Sequence, residues 1–356
     1  MRSRNIVHYP CVMANPYNRL LADSLKSAGI EVELRDAKHH TNPARSLSWA
    51  WGTPLVHFHW LQGLYIGRSG WRFAARSLIF LLVLSGLRLS GTRLVLTVHN
   101  LVPHEHRHRK LHRLVNVLVG KLMHRLIVHS EPAGGAVGSE YNAPGKIVVI
   151  EHIDYGNPTA AITKGQARRK LSLPLERKLL LFFGNIRLYK GVDHLIDAAG
   201  SLDKLGYDLV IAGRPHTETL ARSLEEATAG QTNIHLRLGE LSNERLSNYL
   251  IACDMAAFPY QAGLSSGAAH LALSHNRPIL CSSSLAFEHL VSEGIALSWE
   301  PSNHSDLCKA ATKALSLDHG TWAKNVAAYR ARCHHTSVGS RLKQVYAELL
   351  GGRLDV

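Results

Sequence analysis

Short continuous apolar runs punctuate the chain at 5–9 (NIVHY), 55–60 (LVHFHW), 94–99 (LVLTVH), 125–130 (RLIVHS) and 146–150 (KIVVI). They do not alternate apolar with polar, so they read as strands buried on both faces, the signature of a parallel sheet. Between them lie helical segments at 18–28, 71–84 and 111–123. A second series follows at 178–184 (KLLLFFG), 208–213 (DLVIAG), 234–239 (IHLRLG), 255–260 (MAAFPY), 278–282 (PILCS) and 295–299 (IALSW). Its helices are expected at 191–205, 218–229, 242–251, 265–274 and 286–293. Strand–helix alternation run twice predicts an α/β chain of two doubly wound, Rossmann-like domains. The break falls in 155–177, rich in turn formers and charge. The expected domains are therefore 1–160 and 161–335. A tail, 336–356, carries an amphipathic helix at 340–350 and is expected to pack back toward the first domain. In such sheets ligands bind at the carboxyl ends of strands, so the residues that follow each strand are the ones to inspect.

Charge changes this picture in one respect. Residues 1–178 hold 25 Lys+Arg and 10 Asp+Glu, a balance of +15; the remainder holds 16 and 17, a balance of −1. Within 68–125 there are eleven Arg/Lys and one acid, Glu105. A one-sided basic half calls for an anionic partner. Long aliphatic stretches (LIFLLVL, LVNVLVGKLM) interleave with the cations, which suits a helix lying on an anionic membrane surface; a solvated basic face is the plain alternative. Nucleic acid is not expected, for want of an aromatic-interleaved basic motif. The five cysteines are odd in number and never at CxxC spacing, which argues against a disulfide framework. The opening MRSRNIVHYPCVMANP lacks a signal peptide's apolar core, and no run reaches the length of a spanning helix. The expected location is cytoplasmic, peripheral on the inner membrane.

The densest candidate chemistry is Phe182-Phe183-Gly184-Asn185-Ile186-Arg187-Leu188-Tyr189-Lys190-Gly191. A buried strand ends in Gly184, two cations follow in the loop, and a helix opens near Gly191. Glycine lets the backbone approach a ligand closely, and fixed cations beside a helix N-terminus form a phosphate site. The plain alternative is that both cations cap a turn. Ser265-Ser266-Gly267 opens another helix and offers hydroxyls and amides to a phosphate.

The segment 182–191 resembles the diphosphate-binding loop of GT-B glycosyltransferases, F-G-x-[IL]-R-x-x-K-G. Val210 to Gly213, Asn233 to Gly239 with Leu241-Ser242, Cys253-Asp254 with Phe258-Pro259-Tyr260, and Arg277 to Leu280 resemble that superfamily's later landmarks in order. The resemblance implies two domains facing a central cleft. It also implies a donor nucleotide sugar held in the second domain by Gly184, Arg187, Lys190, Gly213, Leu241, Tyr260, Ser265, Ser266 and Gly267. The chain departs from the largest retaining group, whose paired glutamates would fall at Gly263 and Leu271. A narrower set is similar to the bacterial GDP-mannose:glycolipid β-1,4-mannosyltransferases of xanthan-type exopolysaccharide assembly, which also lack that pair and invert the anomeric centre. It comprises Asn15-Pro16-Tyr17, His57 to Trp60, Thr97 to Glu105, Arg187 to Val192, Pro259-Tyr260, Ser266-Gly267, Leu271 to Ser274 and Arg277-Pro278. This similarity implies GDP-mannose as donor, a lipid-linked saccharide as acceptor, and no cofactor beyond the sugar nucleotide.

An inverting transfer needs a general base within reach of the acceptor hydroxyl. Glu105 is a candidate, and pairing with Arg107 or Arg109 is an equal reading. His99, at the end of a strand, would touch the sugar or donor phosphate, or serve as a hydrogen-bonded structural histidine. Asn15, Tyr17, His59, Trp60 and His104 complete the acceptor side. His104, His106, His108 and His112 lack a carboxylate or cysteine partner at ligand spacing, so no metal is expected there. No Asp-x-Asp triplet exists to hold Mg²⁺ or Mn²⁺; Arg187 and Lys190 would neutralise the diphosphate instead.

Overall fold

The computed structural model describes residues 6–12, 15–36, 42–67, 69–101, 108–156 and 162–352. The chain divides into two units, Met1–Ile153 with Ala331–Val356, and Asp154–Arg330.

In the first unit β1 (Ile6–Cys11), β2 (Val32–Asp36), β3 (Leu55–Phe58), β4 (Arg93–Thr97), β5 (Arg125–Val128) and β6 (Ile147–Val149) form one parallel sheet in the order β2-β1-β3-β4-β5-β6. The chain reverses direction across the sheet between β1 and β3, so the crevice at their carboxyl ends is where a ligand binds in such sheets. β2 is an addition to the strands expected from sequence. Its segment VELRD alternates and stays half-exposed at the sheet edge, so it lacks the continuous apolar signal of its neighbours. Helices Pro16–Ser27 and His335–Leu350 pack together over this sheet, burying Leu21, Leu25, Val338, Leu342 and Tyr346 against Ile6, Leu55 and Val95. Each such aliphatic side chain contributes about 1.5–3 kcal/mol on burial, which fixes the last helix, and Tyr346 with it, to the first sheet.

In the second unit β7 (Lys178–Phe183), β8 (Tyr207–Gly213), β9 (Ile234–Leu238), β10 (Met255–Phe258), β11 (Ile279–Ser282) and β12 (Ala296–Trp299) pair in parallel in the order β12-β11-β10-β7-β8-β9. Direction reverses here between β7 and β10, so the loops that follow those two strands flank the crevice. The helix expected over 191–205 is instead a 3₁₀ turn, Leu188–Lys190, followed by two short helices, Val192–Asp197 and Ala199–Lys204. Arg168 anchors the start of the unit. Its buried guanidinium donates to the carbonyls of Ala252, Pro174 and Arg177 and to Asp254, whose carboxylate also accepts from the Leu179 amide. Asp254 also pairs with Lys164, so the Cys253-Asp254 landmark acts here as a structural clasp.

Candidate functional site

The cationic loop after β7 is built by close backbone approach. Gly213, at the end of β8, lies so near β7 that a Cβ there would sit 1.8 Å from the Gly184 carbonyl oxygen. The Ile186 amide donates to the Arg214 carbonyl at 2.8 Å, and the Ile186 carbonyl accepts from the His216 amide at 3.0 Å. Gly191 has φ +63°, and a Cβ on it would lie 2.3 Å from the Pro259 carbonyl oxygen. Only glycine combines that left-handed backbone with that approach at low cost. The Gln261 amide then donates to the Tyr189 carbonyl at 2.8 Å. The loops after β7, β8 and β10 are thus fastened to one another.

Their geometry leaves Lys190 Nζ 5.0 Å from the centroid of the Tyr260 ring and 6.0 Å from that of Phe182. Among the described residues neither Arg187 nor Lys190 has a carboxylate partner. Burial pushes the Lys190 ammonium below its ordinary pKa, and the Arg187 charge adds to this. A desolvated cation without a counter-ion costs free energy unless an anion arrives to pair with it. On the β10 side Ser266 caps helix Gly267–Ser274, its hydroxyl accepting from the Ala269 amide at 3.2 Å. The hydroxyl expected to meet a phosphate is therefore engaged within the protein, and what this segment presents is the first-turn amides ahead of Ala269, with Ser265 half-buried beside them. The structure thus brings Gly184, Arg187, Lys190, Gly213, Tyr260 and Ser265 to Gly267 to one end of the sheet. Leu241 follows edge strand β9, two strands from β7.

At the carboxyl end of the first sheet the structure assembles a set of rings larger than the one expected from sequence. His8 and His57 are register partners on β1 and β3. The His8 Nε2 is 3.0 Å and the His57 Nδ1 2.6 Å from the Tyr346 hydroxyl, while His57 Nε2 is 2.7 Å from Thr97 Oγ1. Outward from His8, its Nδ1 is 3.4 Å from His59 Nε2, and His59 Nδ1 is 3.5 Å from His99 Nε2. Trp60 stacks on His99 at 4.4 Å and 13°, and Tyr17 meets the same ring edge-on at 5.0 Å. On the far side His129 bonds the Ile150 carbonyl through Nδ1 at 2.9 Å and faces the Tyr17 hydroxyl through Nε2 at 3.5 Å. Burial first, and facing histidines second, hold His57, His59 and His99 well below the ordinary imidazole pKa; burial alone brings His8 to about 3. The set is neutral at physiological pH.

His59, Trp60, His99 and Tyr17, expected on the acceptor side, therefore lie together. Asn15 is a helix cap: its Oδ1 accepts from the Tyr17 amide at 3.1 Å at the start of helix Pro16–Ser27. His104 and Glu105 lie outside the described residues. His8, His57, His129, His152 and Tyr346 join the site without having been expected there. A usable signal exists in the sequence, since every strand of the first unit contains a histidine or runs into one within three residues of its end. His8, His57 and His59 place ring nitrogens within 4.8 Å of one another. The His57 and His59 rings are stacked, however, at 4.5 Å and 26°. Stacked rings aim their in-plane lone pairs side by side, and these nitrogens already have hydrogen-bond partners. The trio is built as a polar network, without the convergent lone pairs of a tetrahedral metal site.

The family model for glycosyl transferases group 1 matches residues 163–331, nearly the whole second unit. The chain is 31% identical over 229 residues to a GDP-mannose:glycolipid 4-beta-D-mannosyltransferase of Xanthomonas campestris pv. campestris, an alignment covering 64% of this chain and 60% of the relative. It thus spans about 60% of the length of the curated relative it matches. Among solved structures, sucrose-phosphate synthase from Thermosynechococcus elongatus superposes with a TM-score of 0.71 at 17% identity, covering 98% of this chain and 100% of the other. Anabaena HepE in complex with UDP superposes with a TM-score of 0.73 at 14% identity, covering 97% and 100%. Two parallel six-stranded sheets with these neighbours are the GT-B fold, and residues 163–331 form a glycosyl transferases group 1 domain within it.

Proposed function

We propose that the chain is a metal-independent glycosyltransferase that moves a hexose, mannose by preference, from a nucleotide sugar to a lipid-linked saccharide with inversion of the anomeric centre. GDP-mannose is the favoured donor. One observation carries the reading: Arg187 and Lys190 stand on a loop locked by Gly191 and Gly213, with no carboxylate among the described residues to neutralise them and Lys190 desolvated. Such a pair is suited to the charge that builds on a departing nucleoside diphosphate, and pre-set electrostatic stabilisation of this kind often contributes more to catalysis than any other effect. The amides at Gly267 add to it. Likeness to the Xanthomonas mannosyltransferase supports mannose and a glycolipid acceptor. Gly263 and Leu271, standing where retaining relatives carry glutamates, support inversion.

A second surface supports a membrane-held acceptor. Helix Gly70–Leu89 turns Trp71, Leu78, Leu82 and Leu89 outward, each at least 60% exposed, and Arg72 lies over the Trp71 ring. The neighbouring helix Arg109–Leu122 adds exposed Arg109, Lys110, Arg113 and Leu114. Apolar side chains framed by cations and an interfacial tryptophan suit the headgroup boundary of an anionic bilayer. Among the described residues no helix is long and apolar enough to cross a membrane. We place the protein on the cytoplasmic face of the inner membrane, working on exopolysaccharide or another cell-surface glycan.

The test has two stages. GDP-mannose at a hundred times its Kd should stabilise the protein by about 2.7 kcal/mol in thermal unfolding, ahead of other sugar nucleotides. Product made from lipid-linked saccharide in the presence of EDTA should show, by NMR, the anomeric configuration opposite to the donor's. Retained configuration, or a requirement for added metal, would overturn the mechanism; indifference to every sugar nucleotide would overturn the function.

A further inference from the structure

Three buried histidines of the first unit, His8, His57 and His59, form a single file with half-buried His99. Read from the surface inward it runs His99, His59, His8, Tyr346, His57, Thr97, with separations of 3.5, 3.4, 3.0, 2.6 and 2.7 Å. Every link joins one ring nitrogen or hydroxyl to the next, and no ring nitrogen serves two links. A neutral imidazole has one N–H and one bare nitrogen, so an unbroken file has only two orders. In the outward order each N–H points toward the surface, and His99 presents a donor there. In the inward order His99 donates from Nε2 to His59, His59 to His8, His8 to Tyr346, Tyr346 to His57, and His57 to Thr97. His99 then presents a bare Nδ1, which has no partner among the described residues. His99 is also the one histidine of the file that is half-exposed; His8, His57 and His59 are at most 2% exposed.

We propose that this file is a positioning relay: His8, His57, His59 and Tyr346 hold His99 in the tautomer with a bare outward Nδ1, making His99 the base for the acceptor hydroxyl. This rests on the transfer proposed above. In the step the acceptor oxygen forms its bond to the anomeric carbon while the hydroxyl proton passes to His99 Nδ1. The bond from the anomeric carbon to the diphosphate oxygen breaks, and its electron pair leaves with the nucleoside diphosphate. His99 becomes an imidazolium whose Nε2 proton is shared with His59, and the proton returns to water through Nδ1 once the product has left. Trp60, stacked on the His99 ring, stabilises that cation through its π face. The groups facing the His99 end of the file are His59 from the β3 end, Tyr17 from helix Pro16–Ser27, His129 from the β5 end and His152 beyond β6; Glu151 acts on His129. Glu151 is itself held by Arg332 and Arg341, so no carboxylate competes with His99 among these groups.

Tyr346→Phe removes one hydroxyl from the middle of the file and keeps the ring that packs in the core. The expected result is a fall in kcat of roughly tenfold or more and a shift in the acidic limb of the pH–rate profile, with the KM for donor unchanged. His99→Gln should abolish that limb. A merely structural tyrosine would leave the profile in place, and a Tyr346→Phe enzyme with wild-type kcat and pH dependence would overturn the proposal. A readout free of activity uses ¹⁵N-histidine NMR on the full wild-type chain. It should find His99, His59, His8 and His57 all protonated at Nε2, and His99 protonated at Nδ1 would overturn the relay. If the tautomers are as expected yet no acceptor is ever glycosylated, the transfer reading fails while the inward order stands. Should Tyr346→Phe not fold, the wild-type tautomers decide alone.

Discussion

The two sheets place their candidate chemistry at corresponding ends, beyond the strand carboxyl termini beside the switch point, and then fill it in opposite ways. The second presents two cations with no counter-charge among the described residues, mounted on a loop that glycines pull tight. The first presents a neutral, hydrogen-bonded stack of histidines that burial keeps from charging. In the proposed reading one site waits for an anion, and the other accepts a proton only at its rim. A transferase needs both properties, in different places: stabilised negative charge on the leaving group and an uncharged base for the nucleophile. Had the histidines been cationic they would be useless as bases, and had Arg187 been paired with a carboxylate it would gain less from a diphosphate.

The sharpest way to break this contrast is to remove a charge from the second unit. Arg187→Ala should lower kcat/KM by about 10²–10³-fold, on the order of 3–4 kcal/mol of transition-state stabilisation, as for loss of one oxyanion donor. Steady-state kinetics across donor concentration checks this. Near-normal turnover would mean that the unpaired cations serve some other purpose.

Next in size is an effect confined to the first unit. An unfolded histidine titrates near pH 6.5, whereas folded His8 does so at about 3. Between those values the unfolded chain binds the proton and the folded one does not, so stability is unaffected above pH 6.5 and falls as pH drops below it. For His8 alone the loss at pH 5 is about 2 kcal/mol, and His57, His59 and His99 shift in the same direction. Calorimetry at pH 7.5 and pH 5 should show the transition of the first unit moving down. A transition insensitive to acid would mean that the histidines are hydrated and not buried in this way.

The same contrast explains what can be read from sequence. The cation loop is legible because all of its parts lie within 182–191, next to one another, after a strand of uninterrupted apolar residues. The histidine file is not, because it depends on strand register and on a helix from the far end of the chain. His8 and Tyr346 are 338 positions apart, and only the packing of helix His335–Leu350 over β1 and β3 brings that hydroxyl between two imidazoles. His59 and His99 can be found by their place after a strand. Their partners His8 and His57 lie within strands, where they read as interruptions of apolar runs. Strand β2 escapes for the reverse reason, since half-exposed edge strands carry charge. Ser266 is legible as the start of a helix, but a capping serine and a ligand-binding serine look the same until the hydrogen bond to Ala269 is seen.

The smallest expected effect concerns the surface that would bring the first unit to its acceptor. Leu78, Leu82 and Leu89 are 60%, 63% and 88% exposed on helix Gly70–Leu89, and water contact of such groups is costly in the absence of a partner surface. Partial insertion of one leucine into the headgroup boundary is worth about 1 kcal/mol. Leu82→Ala should therefore weaken binding to vesicles containing anionic lipid by roughly fivefold, leaving thermal stability and donor binding unchanged because the side chain touches neither core nor phosphate loop. Arg113→Ala should reduce binding by a similar factor at low salt and by less at high salt, as screening predicts. Co-sedimentation with vesicles of varied anionic content separates the two contributions. If neither substitution matters, the aliphatic face of this helix serves a protein partner, and the basic first unit reaches its acceptor by charge alone.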